Sequence, residues 1–140
     1  IEQFLGYDNT TDAVLIGAGK LGLALMAYSG FEAYGLNIQA AFDAKPTLEK
    51  TEDGQPIYHI SKLEHYCKLH KVLMGIITVP AAAAQEVADL LIAGGVKAIW
   101  NFAPTHLDVP DNILVQNENM ATSLAVLSVH LRAAMKEEKK

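Results

Sequence analysis

The string Gly17-Ala18-Gly19-Lys20-Leu21-Gly22 stands directly between a short apolar run, Ala13-Val14-Leu15-Ile16, and a stretch that patterns as a helix. No other feature of this chain restricts its fold as strongly. An apolar run without alternation suits a strand buried on both faces. Lys20 to Tyr28 carries Leu21, Leu25 and Tyr28 along one helical side. A G-x-G-x-x-G string alone is weak evidence, because glycine-rich loops are common, but between a strand and a helix it is informative. Gly17 allows the tight turn, Gly19 has no side chain to keep a pyrophosphate away, and Gly22 lets the helix pack closely on the sheet. The amides of Ala18, Lys20 and Leu21 lie where a helix N-terminus presents unpaired N–H groups to phosphate.

A second strand, Ile38 to Asp43, places Asp43 21 residues after Gly22, where an acid accepts hydrogen bonds from an adenosine ribose. An acid there repels a 2′-phosphate and no Arg stands beside it, which favours NAD over NADP; Lys45 works against that preference. The alternative is a plain tight turn at Gly17–Gly22, with Asp43 capping the end of its strand.

The remaining pattern extends the sheet. Pro56 to His59 reads as a short strand. Ser61 can cap a helix to about Leu69, with Glu64 at the capping-box position. Leu73 to Val79 is an apolar strand. Ala81 to Ala93 is a helix with Ala84, Val87, Ala88 and Leu91 on one face and Gly94-Gly95 as its stop. Ala98 to Asn101 and Ile113 to Val115 are the last strands, and Met120 to about Lys139 the last helix. Strand–helix alternation predicts an α/β fold, a Rossmann-like, doubly wound parallel sheet. Residues 1–11 read as a linker or arm, 12–118 as the dinucleotide-binding domain, and 119–140 as a C-terminal helix and tail. In such a sheet ligands bind outside the carboxyl ends of the strands. Thr78-Val79-Pro80 and Asn101-Phe102-Ala103-Pro104 would then face the nicotinamide half of the ligand; otherwise they are ordinary strand-to-helix turns.

At 140 residues the chain has room for one domain. Its net charge of −5 lowers the odds that it grips a nucleic-acid backbone by itself. The single cysteine, Cys67, excludes an internal disulfide and any multi-thiolate metal site, which fits a reducing compartment, the cytoplasm. No apolar run is long enough to span a bilayer and no secretory signal opens the chain. It begins at Ile1 without an initiator Met, so a preceding segment is expected.

Several of these segments together resemble the C-terminal domain of Rex, a family of redox-sensing transcriptional repressors. They are Val14 to Gly22, Ala40-Ala41-Phe42-Asp43, Thr78-Val79-Pro80-Ala81 with Ala84-Gln85, Gly95 to Pro104, and Leu107-Asp108-Val109-Pro110. The Thr-Val-Pro-Ala and Asn-Phe-Ala-Pro segments are far more specific than the glycines. The resemblance covers residues 12–132. It implies an NAD(H)-binding regulatory domain that reads the NADH/NAD+ ratio, preceded in the family by a winged-helix DNA-binding domain, with the C-terminal helix exchanged in a homodimer. It further implies that Gly17–Gly22 hold the pyrophosphate, Asp43 the adenosine ribose, and Thr78–Pro80 and Asn101–Pro104 the nicotinamide. Tyr28, in Ala27-Tyr28-Ser29-Gly30-Phe31, matches the tyrosine that approaches the nicotinamide, or else is a core aromatic of the first helix.

Two departures stand out. The chain holds no winged-helix segment, so operator DNA would be reached only through a domain absent from it. And Asn119 stands where the family usually has an Asp of its ligand-coupled switch; Asn keeps the shape but loses the charge. The last helix supports dimerisation independently. Met120, Leu124, Leu127, Leu131 and Met135, with Ala125, Val126, Val129 and Ala133, make it apolar nearly all round. Such a helix needs a second wall, from a partner subunit or from its own sheet.

Two other readings compete. A fragment of an NAD-dependent dehydrogenase would need substrate-holding residues and an acid or base, usually from a second domain. His59, His65, His70, His106 and His130 sit in no catalytic motif, and His106 on its loop is the nearest to the nicotinamide wall. A CoA-binding module shares the fold and glycine loop, but Asp43 suits a free ribose diol better than a phosphorylated one. No catalytic or metal-ligating residue is therefore assigned, and the chain is expected not to be an enzyme.

Overall fold

The computed structural model describes residues 10–51 and 54–118, with Leu131 beyond them. Strand β1 (Thr11–Ile16) leads through the glycine loop into helix α1 (Lys20–Ala27) and a 3-10 segment (Ser29–Tyr34). Next come β2 (Leu36–Asp43), β3 (Ile57–His59), a 3-10 turn (Ile60–Lys62) and α2 (Leu63–His70). The described fold closes with β4 (Met74–Ile77), α3 (Ala81–Ala93), β5 (Ala98–Asn101) and β6 (Leu114–Asn117). The six strands form one sheet in the order β3-β2-β1-β4-β5-β6, and every pair is parallel. The chain crosses over between β1 and β4, so the loops leaving those strands diverge and open a crevice at their carboxyl ends.

Burial explains why the apolar runs are strands. Ala13, Val14, Leu15 and Ile16 are completely buried, because successive side chains enter opposite faces that are both covered. Val14, Ile16 and Phe42 meet α2 and α3, with Leu63, Cys67, Ala84, Val87, Ala88 and Leu91 opposite them. Leu15, Ile38, Ala41 and Ile76 meet Met26 of α1, flanked by Phe31 and Trp100. The expected face of α3 is the buried one, and Gly94 and Gly95 end that helix, Gly95 in the left-handed region at φ +96°.

Some elements differ from expectation. Ser61 does not cap α2. Its N–H donates to His59 Nδ1 at 3.1 Å and begins the 3-10 turn, so α2 starts at Leu63. Glu64 accepts from Lys68 Nζ at 2.9 Å, one helical turn on, in place of a capping-box contact. Helix α1 ends at Ala27, and its buried residues are Gly22 and Met26, with Leu21 and Leu25 only partly covered. Strand β6 runs two residues further than expected, to Asn117. The expected last helix, Asn119, and residues 1–9 of the arm expected over 1–11 lie outside the described residues, apart from a helical Leu131, while Thr11 already belongs to β1. No described helix is long and apolar enough to cross a membrane.

Candidate functional site

The glycine loop is fixed from three sides. Gly17 N–H donates to Phe42 O at 2.7 Å, tying the loop to β2. Thr78, just past β4, lies within hydrogen-bond reach of β1 and the loop together. Its Oγ1 is 2.9 Å from Ile16 O and 2.8 Å from Gly17 O, and its N–H donates to Ile16 O at 2.9 Å. Asp43 closes the third side: Oδ2 accepts from Ala18 N–H at 2.8 Å and Oδ1 from Lys45 N–H at 3.0 Å. The carboxylate therefore stands beside the loop at the end of β2, half-buried, each oxygen retaining acceptor capacity.

The three glycines answer to different constraints. Gly17 has φ +105°, and a Cβ there would lie 2.7 Å from Thr78 Oγ1. A Cβ on Gly22 would overlap the Gly17 carbonyl oxygen and come 2.9 Å from Leu15 Cδ2. Gly19 has an ordinary φ of −84°, and a Cβ on it would meet nothing within 4 Å. Neither backbone nor packing asks for glycine at position 19. It borders open space at the N-terminus of α1, where no side chain caps the helix and the first-turn amides of Lys20, Leu21 and Gly22 have no partner within the helix. Space plus free donors is what a bound phosphate group requires.

Thr78–Pro80 and Asn101–Pro104 come to this same edge, since they leave the adjacent, parallel β4 and β5. Val79 is partly buried against the α2–α3 side, Phe102 against the α1 side, and Ala103 is almost fully buried. Pro80 is exposed and extended, forming the N-cap of α3, and Pro104 is exposed. Asn101 is different in kind. Its side chain is completely buried and fully engaged: Nδ2 donates to Thr105 O and to Asn117 Oδ1, both at 3.0 Å, and Oδ1 accepts from Ala103 N–H at 3.0 Å. It shapes the wall from behind and does not face a ligand.

Tyr28 is not brought to this edge. Helix α1 runs away from the glycine loop for eight residues, about 12 Å. Tyr28 follows its far end, 57% exposed, with its ring against Phe31 at 4.8 Å. There it borders a cavity of about 790 Å³ shared with Phe31, Tyr34, Met74, Trp100 and Leu114. This groove lies along the strand beginnings, is lined almost wholly by apolar side chains, and offers no phosphate-binding set.

Sequence reasoning missed Asn117, Thr105, and the Trp100–Glu118 contact, in which Nε1–H donates to Oε1 at 3.2 Å. No motif marks them, because each acts through a partner supplied by the fold. His106 is exposed beside a cleft of about 330 Å³ that also takes in Asp108 and Asp111. Among the described residues no group of three or more His, Cys, Asp or Glu could hold a metal ion.

Comparison with known proteins gives consistent matches. Residues 8–105 match the CoA binding domain family. The chain is 44% identical over 128 residues to the redox-sensing transcriptional repressor Rex of Porphyromonas gingivalis, covering 91% of this chain and 59% of that protein. It is 47% identical over 129 residues to the Rex of Clostridium beijerinckii, covering 91% and 61%. Among solved structures, RSP, a Rex-family repressor, superposes with a TM-score of 0.81 at 36% identity, covering 99% of this chain and 68% of that one. RSP has also been crystallised with NADH, and with NAD+ and operator DNA. The chain spans about three fifths of the length of these curated relatives, 59% and 61%.

Proposed function

The chain belongs to the CoA binding domain family and to the Rex family of redox-sensing repressors, and from that membership we propose that it is the NAD(H)-binding regulatory domain of a repressor responding to the NADH/NAD+ ratio. Gly19 carries the reading: a glycine that neither φ nor packing requires, next to unpartnered helix amides, leaves room for a pyrophosphate. In the proposal Gly17 to Gly22 hold that group, with the Ala18, Lys20 and Leu21 backbone around it. Asp43 receives the adenosine ribose, and Thr78 keeps the loop in register from β4. Val79, Pro80, Phe102, Ala103 and Pro104 border the nicotinamide, and Asn101 sets their turn. The cofactor would supply the redox state; the chain supplies binding, orientation and exclusion of water. The relatives are named as repressors, so the reading is of a sensor and not of a dehydrogenase.

Discrimination between redox forms is required for sensing, because a ligand biases a switch only through its differential affinity. The oxidised nicotinamide ring carries a positive charge that the reduced ring lacks. A wall of Val79, Phe102 and Ala103, with no carboxylate in it, penalises the charged form by desolvation.

A homodimer forms part of the proposal. Among the described residues one sheet face is covered by α2 and α3, while the other is covered only by α1 and the 3-10 segment, leaving the apolar groove open. Leu114 at 72% exposure and Tyr34 at 77% are apolar surface of the kind a second subunit covers. Tyr28, exposed on that side, belongs to this same surface. Operator DNA would be bound by another domain of the whole protein, in the cytoplasm.

The CoA alternative draws on the matched family's description and is separable by experiment. In a thermal-shift titration NADH raises the melting temperature and CoA neither raises it nor competes. A shift with CoA that NADH cannot displace overturns the proposal.

A further inference from the structure

Among the described residues Asn101 is the only buried polar side chain, and its bonds reach in two directions. Toward the site, Nδ2–H to Thr105 O and Ala103 N–H to Oδ1 set the turn of residues 102–105. Toward the sheet edge, the second Nδ2 hydrogen goes to Asn117 Oδ1, on the last residue of β6. Neighbouring contacts repeat the link. Glu118 N–H donates to Asn101 O at 2.9 Å, and Trp100 Nε1–H donates to Glu118 Oε1. Trp100 also packs on Phe102, ring centres 4.8 Å apart. A buried amide with both donors and its oxygen engaged resists displacement, because losing a partner leaves one of its own groups unpaired in the interior.

We propose that Asn101 is a positioning residue, joining the 102–105 turn and the end of β6 into one clasp, so that occupation of the site is felt at Glu118. Residue 118 stands two positions before Met120, where the apolar pattern of the terminal segment begins. The clasp thereby supplies a physical route from ligand to terminal segment through side chains with defined partners. It rests on the dinucleotide reading of the site, with NADH as the ligand.

Amide hydrogen exchange of the 140-residue chain, without and with NADH, tests this. At NADH near 100 times Kd, openings incompatible with the ligand slow by up to roughly a hundredfold. That slowing is expected at residues 102–105 and also at 115–118. The Asn117→Ala/Glu118→Ala variant removes both side-chain acceptors. With NADH raised to near 100 times this variant's own Kd, it should keep the slowing at 102–105 and lose the slowing at 115–118. Asn117→Asp/Glu118→Gln restores acceptors in the same places and should restore the transfer. Equal slowing at 115–118 in the alanine variant, or none there in the unmodified chain while 102–105 slows, overturns the clasp and leaves the cofactor reading standing. Absence of NADH binding by calorimetry overturns the cofactor reading and the clasp together.

Discussion

Gly19 and Gly22 look alike in the sequence and do different physical work. A methyl group at position 22 collides with the Gly17 carbonyl oxygen, backbone that cannot rotate away. Gly22→Ala is therefore expected to destabilise the fold by about 1–3 kcal/mol, lowering the melting temperature by roughly 3–10 °C. Gly19→Ala projects its methyl into open space and should cost the fold less than half of that. It should nonetheless weaken NADH binding by about tenfold or more, since the methyl stands where the pyrophosphate must approach. Scanning calorimetry and NADH titration of both variants separate the roles; a Gly19→Ala protein that binds NADH as well as the unmodified chain overturns the role proposed for Gly19. The tight turn at Gly17 and the close packing at Gly22 were legible in the sequence because they follow from the geometry of one short turn. The orientation of Asn101 was not. Its partners Thr105 and Asn117 lie four and 16 residues away. Nothing local to Trp100-Asn101-Phe102 says whether the amide faces the crevice or turns inward.

At the scale of elements, α2 packs closely beneath the end of α3. Cys67 of α2 is completely buried there, and a Cβ on Gly94 would lie 2.8 Å from the Cys67 Cβ. Burial pushes the Cys67 thiol up to about 11, from 9.0 for a free thiol. In the unfolded chain the thiol ionises first as pH rises, so the stability it lends is full below pH 9 and is lost between about 9 and 11. The loss is on the order of 2 kcal/mol. Denaturant melts of the unmodified chain and Cys67→Ala across that range should diverge at low pH and converge at high pH; parallel curves contradict a buried, neutral thiol. Helix α3 could be read to the residue because Pro80 and Gly94-Gly95 punctuate it and its apolar period is unbroken. The start of α2 could not, because His59 Nδ1 accepts from Ser61 N–H and lies 2.9 Å from Ser61 Oγ, so the expected cap is taken up in a 3-10 turn that only the folded geometry reveals. The 3-10 segment Ser29–Tyr34 went unforeseen for a related reason. It is held by Phe31 meeting Trp100, 69 positions later, ring centres 5.6 Å apart.

Among the described residues, six parallel strands put the glycine loop, Asp43 and the turns Thr78–Pro80 and Asn101–Pro104 along one edge, while the open apolar groove runs along the beginnings of the strands. That division was half visible in the pattern: strand–helix alternation dictates the parallel sheet, and a parallel sheet dictates the ligand edge. The uncovered face has no comparable signature, since it depends on which connections carry helices, and the long β2–β3 and β5–β6 connections carry none before the 3-10 turn and β6 respectively. If the crevice reads redox state, the apolar wall must disfavour the charged, oxidised ring by desolvation. Isothermal titration of the purified chain with each form should give a dissociation constant for NADH at least about tenfold below that for NAD+. Equal constants, or no heat with either, would contradict the claim that this domain senses the NADH/NAD+ ratio.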